Sequence, residues 1–323
     1  MDAPAPYTTV LAAELASSTP PLAWLADGLF LVGGAGILGG APKSGKSFFA
    51  LDLAVAVASA TPCAGRFTIP TKGRVMLLCA EDPHAVVVER LKALARSRGL
   101  ELADLPLDVI VEPVVRLPEG LPRLRATLDK TRPSLLLLDP LIRLHRADEN
   151  SAAEMSLILD GLRSLARASM TAILLVHHTR KAPAGPSAGA ALRGSSDLHA
   201  FGDTNLYFRK LATDGTVELR IEHRATACPQ PIQLRLVVDE TAATARFVPL
   251  DKDDPIADPL ANRLLAALAK ADAPMSSRTL RATLGVRNQL IGDTLRRLVD
   301  QGRVLHARDG FALVRSASGS GSL

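Results

Sequence analysis

The segment Gly40-Ala41-Pro42-Lys43-Ser44-Gly45-Lys46-Ser47 constrains this chain more than any other stretch of it. It fits G-x-x-x-x-G-K-[ST], and its surroundings suit it. The apolar run Leu29 to Leu38 reads as the strand before the loop, and Phe48 to Ala60 as the helix after it. The order matters physically. Glycines let the backbone wrap a phosphate with its N–H groups, and the helix N-terminus adds favourable partial charge. Lys46 is then placed to reach the β- and γ-phosphates, and the Ser47 hydroxyl to ligate Mg²⁺. The expected nucleotide-binding residues are therefore Gly40 through Ser47 with Phe48 directly behind them. Strand, loop and helix in this register imply an α/β protein that binds a nucleoside triphosphate.

Further strands and helices alternate from Leu29 to about Arg246, as in a parallel sheet with crossovers. Gly73 to Ala80 and Ser134 to Asp139 read as short buried strands, with the amphipathic helix Pro83 to Arg98 between them. Asn150 to Ala168 reads as a helix and Thr171 to His177 as the next strand. Thr179 to Arg193, rich in Pro, Gly and Ala, reads as a mobile loop. Asn205 to Phe208, Thr216 to Ile221, Ile232 to Val238 and Ala245 to Val248 read as shorter strands.

The strand ends carry the chemistry. Asp139 closes SLLLLD where a Walker B aspartate would hold Mg²⁺ through a water. Glu81 ends the strand GRVMLLCA beside the phosphate loop, where a carboxylate can accept a proton from an attacking water. Its neighbour Asp82, before Pro83, reads as a helix cap. His178 follows TAILLVH at another strand end, where a polar side chain can sense the γ-phosphate.

GAPKSGKS, LLCAEDPHAVVVERLKAL, LLLLDPLIRLHRADEN, ILLVHHTRK and RGSS, in that order, resemble the RecA-like ATPases of the plasmid RepA replicative-helicase type. The resemblance covers roughly residues 20–210. It implies a RecA-like fold, ring hexamers, ATP hydrolysis with Mg²⁺ and movement along single-stranded DNA. It assigns Lys46 and Ser47 to the phosphate–Mg²⁺ site, Glu81 to catalysis, Asp139 to Walker B, His178 to sensing and Arg90 to stacking on adenine. Arg180 and Lys181, in the loop 179–193, match the region facing the DNA channel. One position departs from the pattern. In that family an arginine ten residues past the RGSS arginine reaches the neighbouring subunit's site, and ungapped counting from Arg193 lands on Asp203. Arg193, Arg180 and Arg209 are the candidate substitutes.

The C-terminal part reads differently. From Ile256 onward ten basic residues oppose five aspartates, so the chain's whole net charge of +5 lies there. Leu260, Leu264, Leu265 and Leu268 mark one helical face, and Ser276 or Ser277 caps a second helix carrying Leu280 and Leu284. A third helix from Arg287 turns Leu290, Leu295, Leu298 and Val299 inward. Two short β segments flank an Asp309-Gly310 turn. Helices followed by a hairpin imply a winged helix-turn-helix, a module that serves either duplex DNA or a protein partner. For DNA, Arg287, Asn288, Gln289, Arg296 and Arg297 would face the groove, with Arg303 and Arg308 near the wing.

The expected organisation is a lead-in at 1–28 with one short helix, a RecA-like ATPase domain at 29–248, a linker at 249–259, the winged helix at 260–315 and a disordered tail at 316–323. Cys63, Cys79 and Cys228 are far apart in sequence and show no C-x-x-C pairing, so no zinc or disulfide framework is expected. With no signal-peptide start and no membrane-length apolar run, a soluble cytoplasmic protein is expected. Two functions fit: a DNA-dependent motor of a replication or mobile-element system, helicase or loader, acting as a hexameric homo-oligomer, or an ATP-gated DNA-binding regulator or recombination accessory without unwinding activity.

Overall fold

The structure, a computed structural model, describes residues 7–111, 115–178, 196–211, 215–250, 259–271, 273–285, 288–300, 302–307 and 309–314. In chain order come α1 (Ala12–Ser18), β1 (Trp24–Ala26), β2 (Phe30–Leu31), β3 (Ala35–Gly40), α2 (Lys46–Ser59), β4 (Val75–Cys79) and α3 (His84–Arg96). Then follow β5 (Leu107–Val109), α4 (Leu121–Thr131), β6 (Leu135–Asp139), α5 (Ala152–Ser169), β7 (Ala172–His178) and α6 (Ser196–Phe201). Four strands, β8 (Thr204–Lys210), β9 (Thr216–His223), β10 (Ile232–Asp239) and β11 (Thr244–Leu250), complete this part. Beyond them lie α7 (Pro259–Ala269), α8 (Ser277–Leu284), α9 (Asn288–Asp300), β12 (Val304–Ala307) and β13 (Gly310–Leu313).

Among the described residues one sheet has the strand order β11-β10-β9-β8-β3-β7-β6-β4-β5. Neighbours from β8 to β5 run parallel, and β9, β10 and β11 extend the sheet antiparallel. The parallel strands are apolar on both faces because helices cover both. Alternate side chains therefore enter different cores. Leu77, Leu135, Leu137 and Leu174 pack on the side of α2 and α3. Met76, Leu136, Ile173 and Leu175 pack on the side of α4, α5 and α6. Helix α2 is buried on nearly every side, which suits its Ala, Val and Leu content. Close strand packing at β3 requires glycine: a Cβ on Gly36 would lie 1.9 Å from the Thr204 carbonyl oxygen.

Several expectations need correction. The run Leu29 to Leu38 is not one strand. Gly33, at φ +64°, turns the chain after β2, which pairs antiparallel with β1, and β3 starts only at Ala35. The lead-in accordingly holds a strand as well as α1, of which no residue is buried. Strand β11 continues to Leu250, two residues into the segment read as linker. The loop 179–193 and the tail 316–323 lie outside the described residues.

The C-terminal elements share a core of Leu264, Leu268, Leu280, Ile291, Leu295 and Leu298. Ser276 caps α8 by accepting the Thr279 N–H, and Gly285, at φ +65°, ends it. Helices and hairpin stand in the order read from the sequence. No helix among the described residues is long and apolar enough to cross a membrane.

One polar pair is buried between α2 and the end of α3. Asp52 of α2 accepts from Arg98 at 2.7 Å and from the Ala64 N–H at 2.6 Å, with its side chain 1% exposed. Removing one partner of such a pair leaves a buried charge. Arg98→Met should lower unfolding free energy by about 3 kcal/mol, read from the urea midpoint. Arg98→Met with Asp52→Asn should cost less than the two single changes summed.

Candidate functional site

Because the central strands are parallel, β3, β4, β6 and β7 all end at one edge of the sheet. A cavity of about 720 Å³ lies there, lined by Pro42 to Phe48 and by Glu81, Asp82, Arg90, Asp139 and His178. The loop from β3 to α2 reverses through Lys43 at φ 59° and Gly45 at φ 92°. Gly45 is the N-cap of α2 and supplies no capping side chain, so the first N–H groups of the helix remain available to an anion. Gly40 must be glycine for another reason: a Cβ there would lie 2.7 Å from the Phe208 carbonyl oxygen.

Lys46 is 4% exposed, and its Nζ donates to the carbonyls of Gly40 at 2.9 Å and Ala41 at 2.8 Å. Burial pushes its ammonium down to about 8, against the pull of Asp139 and Glu81. His178 bridges two groups. Its Nδ1 lies 3.4 Å from Lys46 Nζ, and its Nε2 3.9 Å from a Glu81 oxygen. The preceding residue, His177, takes the opposite face of β7, where it is buried 3.6 Å from Glu149. Asp139 is raised to about 6, mainly by burial, with a hydrogen bond from Ser47 opposing the rise and Asp82 adding to it. Ser44 Oγ is buried without a hydrogen-bond partner among the described residues.

The loop residues, Glu81, Arg90, Asp139 and His178 thus meet in one cavity. Other sequence-predicted residues do not join them. Arg180, Lys181 and Arg193 lie outside the described residues. Arg209 pairs with Glu218 across β8 and β9, at 2.9 and 3.1 Å. Asp203 ties β8 to the first residue of β3, accepting the Ala35 N–H at 3.0 Å, at the strand end away from the phosphate loop. Asp82 is not a helix cap. The N-cap of α3 is Pro83 without a side-chain hydrogen bond, and the Asp82 carboxylate instead accepts from Arg90. The sequence reading also missed Lys210, Leu236 and Phe247, which line the cavity from β8, β10 and β11. Phe247 belongs to an aromatic cluster with Phe49 and Phe208, at centroid distances of 5.7 and 6.2 Å.

Of the residues read as facing duplex DNA, Arg296 is exposed on α9. Asn288, Gln289 and Arg297 belong to the same helix, but their side chains are outside the described set, as are Arg287 and Arg308 altogether.

A family model described as AAA domain (AAA_25) matches residues 2–184, more than half of the chain. The chain belongs to this AAA domain family. Among solved structures, the ATPase domain of G40P is similar to it with a TM-score of 0.55 at 16% identity, covering 74% of this chain and 95% of that one. A DnaB-like replicative helicase, described with its interactions with primase, gives 0.56 at 16% identity, covering 74% of this chain and 65% of that chain. The fold of this AAA domain is therefore the RecA-like α/β core, a mostly parallel sheet with flanking helices.

The arrangement can hold a triphosphate through the loop N–H groups and Lys46, and a divalent cation through Ser47 and Asp139. A ligand binding only the folded state at one hundred times its Kd adds about 2.7 kcal/mol of stability. Wild-type protein should accordingly melt at higher temperature with excess ATP and Mg²⁺, and Lys46→Met should lose that shift, as read by calorimetry.

Proposed function

We propose that this AAA domain protein hydrolyses ATP with Mg²⁺ and uses the energy as a DNA-dependent motor, a RepA-like replicative helicase or a helicase loader. The observation that carries the reading is the convergence of Lys46, Ser47, Glu81, Asp139 and His178 on one cavity at the C-terminal edge of the parallel sheet. The Glu81 carboxylate takes the proton of the attacking water. Lys46 balances charge on the β- and γ-phosphate oxygens, and the unpartnered Ser44 hydroxyl can donate to one of them. His178, touching both Lys46 and Glu81, reports the loss of the γ-phosphate.

The residues fit Mg²⁺. One half-buried carboxylate, Asp139, with the Ser47 hydroxyl beside it, is a partial oxygen ligand set of the kind that phosphate oxygens and water complete. Mg²⁺ bound there supplies neutralisation of phosphate charge. The proposed partners are single-stranded DNA along the channel loop, duplex DNA at the C-terminal winged helix, and further copies of this chain in a ring.

Asp203 supports a second reading. The position expected to carry an intersubunit arginine holds a carboxylate engaged with Ala35, and an arginine finger is worth about 10³–10⁵ in rate. A protein without one turns over slowly and is suited to an ATP-gated DNA-binding regulator.

Steady-state ATP hydrolysis with and without DNA separates the two. For the motor, single strands should raise the rate several-fold, Glu81→Gln should lower it by about 10²-fold or more, and wild type but not Lys46→Ala should displace strands. ATP-dependent duplex binding without stimulation or displacement would leave the regulator. At the C-terminal module, Arg296→Ala should weaken duplex binding and reduce the slope of log K against log salt by about 1.

A further inference from the structure

We propose that Asp82 is a positioning residue that fixes the Arg90 guanidinium as a shelf for the nucleobase. The proposal rests on reading the cavity as a nucleotide site. Three observations converge on it. The Asp82 carboxylate is diverted from the N-terminus of α3, where it would have capped the helix, to the Arg90 guanidinium. Arg90 Cζ lies over the Phe48 ring, 5.2 Å from its centroid, so the guanidinium packs near an aromatic side chain. Asp82, Arg90 and Phe48 all line the same cavity as the phosphate loop.

An arginine side chain left free in a cavity must surrender up to about 2 kcal/mol of rotamer entropy when a ligand stacks on it. Here that ordering occurs in the folded protein. Phe48 restrains the group on one side, Asp82 holds one of its N–H groups, and the buried Val87, Leu91 and Leu94 anchor the helix that carries it. Where Arg90 lines the cavity, a planar base can cover the held guanidinium by the stacking and cation–π attraction that arginine offers. Preorganisation of this kind appears in affinity, because less freedom is lost on binding. Asp82 is also the covalent neighbour of Glu81. One two-residue segment at the end of β4 therefore sets both the base shelf and the carboxylate aimed at the attacking water.

A pair that merely pinned α3 to the sheet would affect every ligand of the cavity alike, whereas a base shelf affects only ligands with a base. The test measures Kd by calorimetry for ADP and for inorganic pyrophosphate, each with Mg²⁺, on the full chain. Asp82→Ala should weaken ADP about tenfold and leave pyrophosphate within about twofold. Asp82→Glu should restore most of the ADP affinity. Arg90→Gln should reproduce the loss, and the double variant should lose no more than either single one. Parallel weakening of both ligands, or no change in ADP affinity, overturns the shelf. Wild-type protein that binds neither ligand overturns the nucleotide reading of the cavity and this proposal with it. The presence or absence of DNA stimulation bears on neither result.

Discussion

The Lys46 ammonium sits among the carbonyl oxygens of Gly40 and Ala41 and near the carboxylates of Asp139 and Glu81, and its removal from water is costly unless all of these stay in place. Each partner comes from the end of a different strand or from the loop itself. The loop follows β3, Glu81 follows β4, and Asp139 ends β6. Only a sheet whose strands run parallel and end together can deliver them to one ammonium. The strand order inserts β7 and β6 between β3 and β4, and His178 at the end of β7 spans the gap, touching Lys46 on one side and Glu81 on the other. The architecture of the core and the charge balance of the cavity are thus one constraint.

Much of this was legible in the sequence because the physics is local. Strands β4, β6 and β7 are buried on both faces, so each is a continuous apolar run, and a polar residue at the end of such a run marks the edge that lines the cavity. The phosphate loop declares itself through glycines that the backbone requires. Where the signal is weaker the reading failed. Strand β5 has three half-buried residues at the sheet edge, and α4 buries only Leu124 and Leu128, so neither produces a sustained period. Apolar content alone could not show that Gly33 splits Leu29 to Leu38, since β1, β2 and β3 are all largely buried.

Long-range contributions were invisible for a different reason. Lys210, Leu236 and Phe247 reach the cavity because β8 lies beside β3 and the antiparallel strands follow from it. No local pattern states which strand neighbours which. Asp82 is an intermediate case. Its residue type and place before Pro83 suggested a cap, but Arg90 follows it by eight positions, a little over two helical turns. Asp82 lies before the first turn of α3, though, so no i,i+3 or i,i+4 spacing announces the pair.

The structure also narrows where a further positive charge for hydrolysis can come from. Asp203 is bound to the start of β3, whereas the phosphate loop follows its other end at Gly40. A strand of this length spans roughly 17 Å at about 3.3 Å per residue, so a residue substituted at 203 would not reach the phosphates of its own chain. Arg209 is already paired with Glu218. Lys210, the next residue along β8, lines the cavity. Alternation along a strand explains the difference, since neighbouring side chains take opposite faces of the sheet. Among the described residues, the Lys and Arg side chains that line the cavity beside Lys46 and Arg90 are Lys43 of the loop and Lys210 of β8, the parallel neighbour of β3. That places β8 to β11, which carry Lys210, Leu236 and Phe247, among the parts that shape the nucleotide site as well as the parts that complete the sheet.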